Sequence, residues 1–216
     1  FYDACCRQLG ENSPTAGYAA KNVGGCYFNS RRMRESMPWY RLALEIMLRS
    51  GMEENEDLAM AYEKAGRSYT WEYDQDFDKA QACFEQALAI RQRNIAALER
   101  GEKRDMLMKN EHYGLPLARE RVGETYMELG RMYQLKGEYR KALECTQLHE
   151  QSVSEQNPSG LAYSYFDEGV SLYHLGLEAR AALREEEAGQ WWSQAEEKLS
   201  KALEINLRMR GTLAAD

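Results

Sequence analysis

The sequence predicts an all-α fold, a solenoid of antiparallel helix hairpins in about four repeats with partial units at both ends. Three observations predict it. Apolar residues recur at helical spacing along nearly all of the 216 residues, and no segment alternates in polarity as a half-buried strand does. Only 4 prolines interrupt a chain dominated by Ala, Leu, Glu, Arg and Gln, the better helix formers. Finally, one device recurs: a glycine with a tyrosine-like residue after it, then a small residue with an aromatic three before it. Its clearest copy is Leu129-Gly130-Arg131-Met132-Tyr133 followed by Gly137-Glu138-Tyr139-Arg140-Lys141-Ala142. Repeated units of this size bury their apolar faces by stacking on their neighbours.

The elements follow in order. The first nine residues read as the end of a helix, and Gly10 to Pro14 breaks the chain, with Pro14 suited to the first helical turn. A helix over about 15–30 carries Val23, Gly24 and Tyr27 on one face. Its partner, with Ser36, Tyr40 and Ala43, is expected to begin near Ser36 so that Pro38 falls in its first turn, and to stop at Gly51. The second pair spans about 57–73 and then Phe77 onward, with Tyr62, Ala65, Gly66 and Tyr69 facing Phe77, Ala80, Phe84 and Ala87. The third pair begins near Pro116, with Tyr126, Gly130 and Tyr133 on its first helix and Tyr139 and Ala142 on its second. Asn157-Pro158-Ser159-Gly160 separates it from the fourth, which carries Tyr165, Gly169 and Leu172, then Trp192, Ala195, Leu199 and Ala202. Within a pair, glycine permits close approach, and the small residues of the second helix are expected to receive the rings of the first.

The glycines lie 42, 64 and 39 residues apart, so one unit carries extra residues, around 94–113. Their composition predicts a lengthened second helix. Further residues around 177–190 predict a lengthened first helix in the fourth unit.

Composition excludes several classes. No run of about 20 apolar residues exists to cross a membrane, and the start lacks a signal-peptide pattern. A net charge of −7, with acids and bases interleaved, gives no global attraction to nucleic acid. Cys5, Cys6, Cys26, Cys83 and Cys145 form no C-x-x-C pair and read as buried or half-buried free thiols, suited to a reducing, cytoplasmic compartment. His112, His149 and His174 offer no metal-binding pair, and no phosphate-binding, dinucleotide or nucleophile-elbow motif occurs. No cofactor and no enzymatic activity are expected. Arg31 to Arg34 reads as a solvated basic turn, and Trp191-Trp192 as one core ring and one exposed ring.

Taken in register, these residues resemble the tetratricopeptide repeat family over roughly 15–210. An aromatic lies four before the glycine at Tyr62, Tyr126 and Tyr165. A tyrosine follows by three at Tyr27, Tyr69 and Tyr133. Small residues recur seven apart at Ser36/Ala43, Ala80/Ala87 and Ala195/Ala202. Ala20, Leu172 and His149 depart from the pattern. The long spacing resembles the variant of about 42 residues in kinesin light chains and bacterial peptide-sensing regulators. The resemblance implies a right-handed superhelix, residues 1–216 as one repeat domain, and a concave groove lined by first helices that binds a peptide or protein segment. It also implies a rival role as the ligand-sensing part of a larger signalling or transcriptional regulator. Both ends read as open, with Gly211 onward like the start of another unit. That raises the expectation of a longer array, or of self-association through the ends.

The face opposite glycine and tyrosine then supplies the candidate groove residues: Tyr18, Lys21, Asn22 and Asn29; Glu63, Lys64, Arg67 and Thr70; Met127, Glu128, Arg131 and Gln134; Tyr163, Phe166, Val170 and Tyr173. Arg67 and Arg131 occupy equivalent positions after successive glycines, and a guanidinium there can grip a carboxylate with two hydrogen bonds. Asn22 resembles the asparagines that hold a bound main chain in some relatives, since an amide both donates and accepts. Tyr163, Phe166 and Tyr173 would anchor apolar groups. A second reading stays open: a soluble solenoid needs this face polar in any case, and Arg67 can pair with Glu63 one turn away. The carboxylate clamp of chaperone-binding relatives is not reproduced, because Gly25 stands one turn after Lys21.

Overall fold

A computed structural model describes residues 2–71, 75–102, 113–153 and 157–213, with the side chains of 212 and 213 excepted. Among these residues there are nine α-helices and no strand: α1 Tyr2–Leu9, α2 Pro14–Asn29, α3 Met33–Arg49, α4 Glu56–Trp71, α5 Phe77–Glu99, α6 Leu115–Lys136, α7 Tyr139–Ser152, α8 Pro158–Ala181 and α9 Glu185–Leu213. The chain divides into two compact units, Phe1–Arg121 and Val122–Asp216. In the first, α2 pairs with α3 and α4 with α5, while α4 also lies against α2 and α3. In the second, α8 packs on both α7 and α9.

Local chemistry sets the helix starts. Ser13, Asp76 and Asn157 each accept the backbone N–H three residues on, from Ala16, Lys79 and Gly160 at 3.2, 3.1 and 2.9 Å. Each thereby satisfies one of the donors a first turn leaves unpaired. Pro14 and Pro158 occupy first-turn positions, where a missing N–H costs nothing. Gly51 and Gly137 follow helices in the left-handed region, at φ 72° and 81°.

The core is built on glycine. A Cβ on Gly24 would stand 2.9 Å from Tyr40 Cε1, one on Gly66 2.8 Å from Phe84 Cε1, and one on Gly169 2.6 Å from Leu199 Cγ. The direction is the reverse of the sequence expectation: glycines of first helices receive large side chains of second helices. Tyr40 and Phe84 are fully buried as a result, and burial pushes the Tyr40 phenol up to about 12. Gly176 likewise seats Trp192, whose Nε1 donates to the Tyr173 carbonyl at 3.2 Å.

Several boundaries differ from expectation. Helix α3 begins at Met33, so Pro38 lies inside it. The Ser36 N–H reaches the Arg32 carbonyl at 3.1 Å and closes the turn before the proline. The extra residues near 94–113 lengthen α5 as far as Glu99; residues 103–112 lie outside the described part. Those near 177–190 are shared between two helices. Leu183 adopts φ 59°, and the Arg184 N–H bonds back to the Ala179 carbonyl at 2.9 Å, a left-handed helix stop with no glycine to announce it. Helix α9 runs through Gly211 to Leu213, so Gly211 does not open a new element. Cys26 is exposed, whereas Cys5 is buried and the other thiols are half-buried. Both Trp191 and Trp192 are half-buried.

These contacts set opposite outcomes for two glycines. Gly66→Ala forces Phe84 out of a filled core and should cost roughly 1–3 kcal/mol. Gly189, with nothing within 4 Å of a new Cβ, should gain about 0.5–1 kcal/mol on replacement by alanine. Urea unfolding of the two variants against the wild type checks both signs.

Candidate functional site

In the first unit the polar side chains of the first helices turn inward. Lys21 on α2 is 5% exposed and its Nζ lies 3.2 Å from Asp57 Oδ1 on α4. Burial lowers the Lys21 pKa against the opposing pull of Asp57. Arg91 on α5 is fully buried and forms a deeper junction. Its Nε donates to Glu56 Oε1 at 2.9 Å, and its Nη1 to Glu63 Oε2 and to the Arg121 carbonyl, both at 2.8 Å. The Tyr113 hydroxyl donates to the other oxygen of Glu56 at 2.8 Å. Burial alone would raise Glu63, but Arg91 overrides it and holds the carboxyl down at about 2. A buried guanidinium is tolerable because carboxylates and a carbonyl replace its water.

The other candidates in this unit are spread out. Tyr18 is half-buried against the core cluster of Met47, Met52, Leu58, Ala59, Ala61, Ala87 and Ile90, which spans α3 to α5. Lys21 lies 4.3 Å over its ring. Asn22 is half-buried. Arg67 lies 4.8 Å over the Phe28 ring. Glu63 is engaged by Arg91 and Lys64.

In the second unit Arg131 Nε donates to Asp167 Oδ2 at 3.2 Å, and Gln134 Nε2 reaches the Asp167 carbonyl at 2.7 Å and Ser171 Oγ at 3.0 Å. These bonds tie α6 to α8. Met127 is half-buried on α6. A different character appears on the outer side of α8. Tyr163, Phe166 and Tyr173 are 55%, 52% and 49% exposed. With Val170 and Leu177 they recur at intervals of three and four, which places all five on one helix face. Arg131 also stands 5.6 Å from the Tyr163 ring centre, so it borders this row. The structure therefore brings Arg131, Tyr163, Phe166 and Tyr173 onto one side of the unit.

Sequence reasoning missed the carboxylates that hold these cations. Asp57 and Asp167 sit among polar residues at helical spacing, and nothing local marks them as buried. It also missed a junction of α7, α8 and α9. Lys198 Nζ lies 3.0 Å from Glu150 Oε2 and 2.9 Å from Glu168 Oε2. Burial, and a shared hydrogen bond with Glu150, raise the Glu168 carboxyl to about 7. Nearby, His149 Nδ1 and Ser164 Oγ are 2.7 Å apart. Burial, with Arg131 adding to it, lowers His149 to about 4. No cluster of metal-ligating side chains exists among the described residues, and none of their helices is long and apolar enough to cross a membrane.

Three comparisons bear on this architecture. Residues 16–93 match the tetratricopeptide repeat family model. The fold is similar to the crystal structure of BtubC (BKLC) from P. vanneervenii, with a TM-score of 0.66 at 19% identity, over 92% of this chain. The chain spans 66% of that protein's length. No curated protein matches.

The two shifted groups act in opposite directions on stability. His149 binds fewer protons folded than unfolded, so its contribution is present above about pH 6.5 and is lost as pH falls towards 4. Glu168 binds more protons folded than unfolded, so its burden lightens as pH falls from 7. Urea unfolding between pH 7.5 and pH 4 should show a steeper acid loss in Glu168→Gln than in wild type, and a shallower one in His149→Gln.

Proposed function

We propose that this chain, which carries tetratricopeptide repeats over residues 16–93, is a non-enzymatic scaffold that binds a peptide or protein segment. Repeats of this family serve protein–protein interaction in general. The exposed aromatic face of α8 is the surface proposed for it here. One observation carries the reading: three large rings of α8, Tyr163, Phe166 and Tyr173, are half exposed on a single helix face. Isolated exposed apolar residues need no explanation, but an ordered row of aromatics is the composition of a binding hot spot.

The same geometry supports a division of roles. Arg131 sits at the edge of the row, 3.2 Å from Asp167 and 3.9 Å from Glu128, so it has little freedom left to lose on binding. In the first unit Tyr18, Lys21, Asn22 and Arg67 are proposed as the corresponding surface. There Lys21 acts mainly through its pair with Asp57. Recognition is then mainly aromatic and apolar, with charge at the margin. The five free thiols agree with a reducing compartment such as the cytoplasm.

A peptide array probed with the purified chain tests this. Replacing Tyr163, Phe166 and Tyr173 together by alanine should weaken the peptides bound by wild type at least about tenfold, as loss of hot-spot rings does. The helical circular dichroism should be unchanged, because all three rings stand clear of the core. Undiminished binding in that variant would falsify the aromatic surface.

A further inference from the structure

Three helices of the second unit meet at one polar point. Lys198 on α9 holds its Nζ 3.0 Å from Glu150 Oε2 on α7 and 2.9 Å from Glu168 Oε2 on α8. The Glu168 side chain is only 1% exposed, and its Oε1 receives no N–H or O–H from any described residue. The group within its reach is the Glu150 carboxyl. Two ionised carboxylates cannot bond to each other, because each only accepts. The contact therefore requires a proton: one carboxyl donates its O–H and the other accepts as a carboxylate, a short and strong bond. Charge agrees. With one proton, the three groups carry one ammonium and one carboxylate and sum to zero. Without it, a net negative charge is left in a place poor in water, where it is costly.

The surrounding groups are engaged elsewhere. On α7, His149 is neutral near pH 7 and lies 2.7 Å from Ser164 Oγ. On α8, the Tyr165 hydroxyl stands beside Glu150, while Asp167 pairs with Arg131 of α6. On α9, Lys201 lies 5.8 Å from the Tyr165 ring and pairs with Glu197.

We propose that Glu150 and Glu168 share one proton, and that this proton fastens α7 to the α8·α9 hairpin, making the junction a pH-operated latch within the second unit. As pH rises through neutrality the proton passes to water. Lys198 stays with the buried Glu168, and Glu150, whose side chain is 29% exposed, turns to solvent. The side-chain tie from α7 is then lost while α8 and α9 remain joined. Burial and the neighbouring Glu150 raise the Glu168 carboxyl to about 7, which sets the range. Glu168 binds its proton more tightly latched than released, so the latch is closed below about pH 7 and opens above it. This device concerns the packing of the unit itself and goes beyond the binding role proposed above.

Amide hydrogen exchange of the full chain at pH 6 and pH 8, corrected for intrinsic rates, tests it. Protection of α7 should fall about tenfold over that interval, and protection of α9 much less. Glu168→Gln and Glu150→Gln replace the shared proton by an amide N–H that does not titrate, so each should protect α7 equally at both pH values. Glu168→Ala removes the tie and should leave α7 weakly protected at both. Carboxyl-carbon NMR gives the proton directly: one glutamate of the wild type should titrate near pH 7, be absent from Glu168→Gln and move to lower pH in Glu150→Gln. The inference is overturned if α7 protection in the wild type ignores pH, or if either glutamine variant keeps the wild-type fall. It is equally overturned if no wild-type carboxyl titrates between pH 6 and pH 8, an outcome that needs no variant to fold.

Discussion

The seating of a large side chain against a bare backbone carries the hairpins. Tyr40 on Gly24, Phe84 on Gly66 and Leu199 on Gly169 leave no room for even one methyl group. Interhelical distance is thereby set by covalent geometry at one point in each hairpin, and the remaining side chains pack to that distance. Alanines at the flanking positions, such as Ala43, Ala80, Ala87 and Ala202, keep the rest of each interface equally thin. Thin hairpins let the next helix reach both members of the pair before it, as α4 reaches α2 and α3.

Within and between hairpins, buried ion pairs join helices alongside the apolar contacts. Lys21 with Asp57, Arg131 with Asp167, and Arg91 with Glu56 and Glu63 all join one helix to a later or earlier one. Buried pairs of this kind add little net stability over a well-packed apolar contact, because desolvation offsets attraction. Their effect is positional: a misregistered helix would strand a charge. Much of the first-helix charge is thus committed to stacking, and it is the aromatic row of α8 that remains turned to solvent.

The helices and their pairing were legible because periodicity and glycine spacing are local signals. Gly24, Gly66, Gly130 and Gly169 could be found without knowing what they touched, although the direction of the interdigitation could not. That direction depends on the tilt at which two helices cross, which no single sequence position encodes. The aromatic row was legible for the same periodic reason. The partners of Lys21 and Arg131 were not, since Asp57 and Asp167 are ordinary helix-surface residues until a neighbouring helix covers them. The break at Leu183 was invisible because a left-handed stop there uses neither glycine nor asparagine. Pro38 misled in the opposite way: an interior proline was accommodated by starting the helix one turn earlier.

The Arg91 junction has a consequence for how such a chain can change over generations. Glu56, Glu63 and the Arg121 carbonyl converge on one fully buried guanidinium, and the Tyr113 hydroxyl holds the other oxygen of Glu56. Losing Arg91 alone strands two buried carboxylates, at a cost of about 3–5 kcal/mol, a large part of a small domain's margin. Substitutions at 56, 63 and 91 are therefore epistatic: single steps are deleterious where a coordinated replacement by apolar residues can be neutral. Tyr163, Phe166 and Tyr173 carry no such linkage. Drift in this protein is thus channelled, with the framework locked to joint changes and the solvent-facing rings free to diversify one at a time.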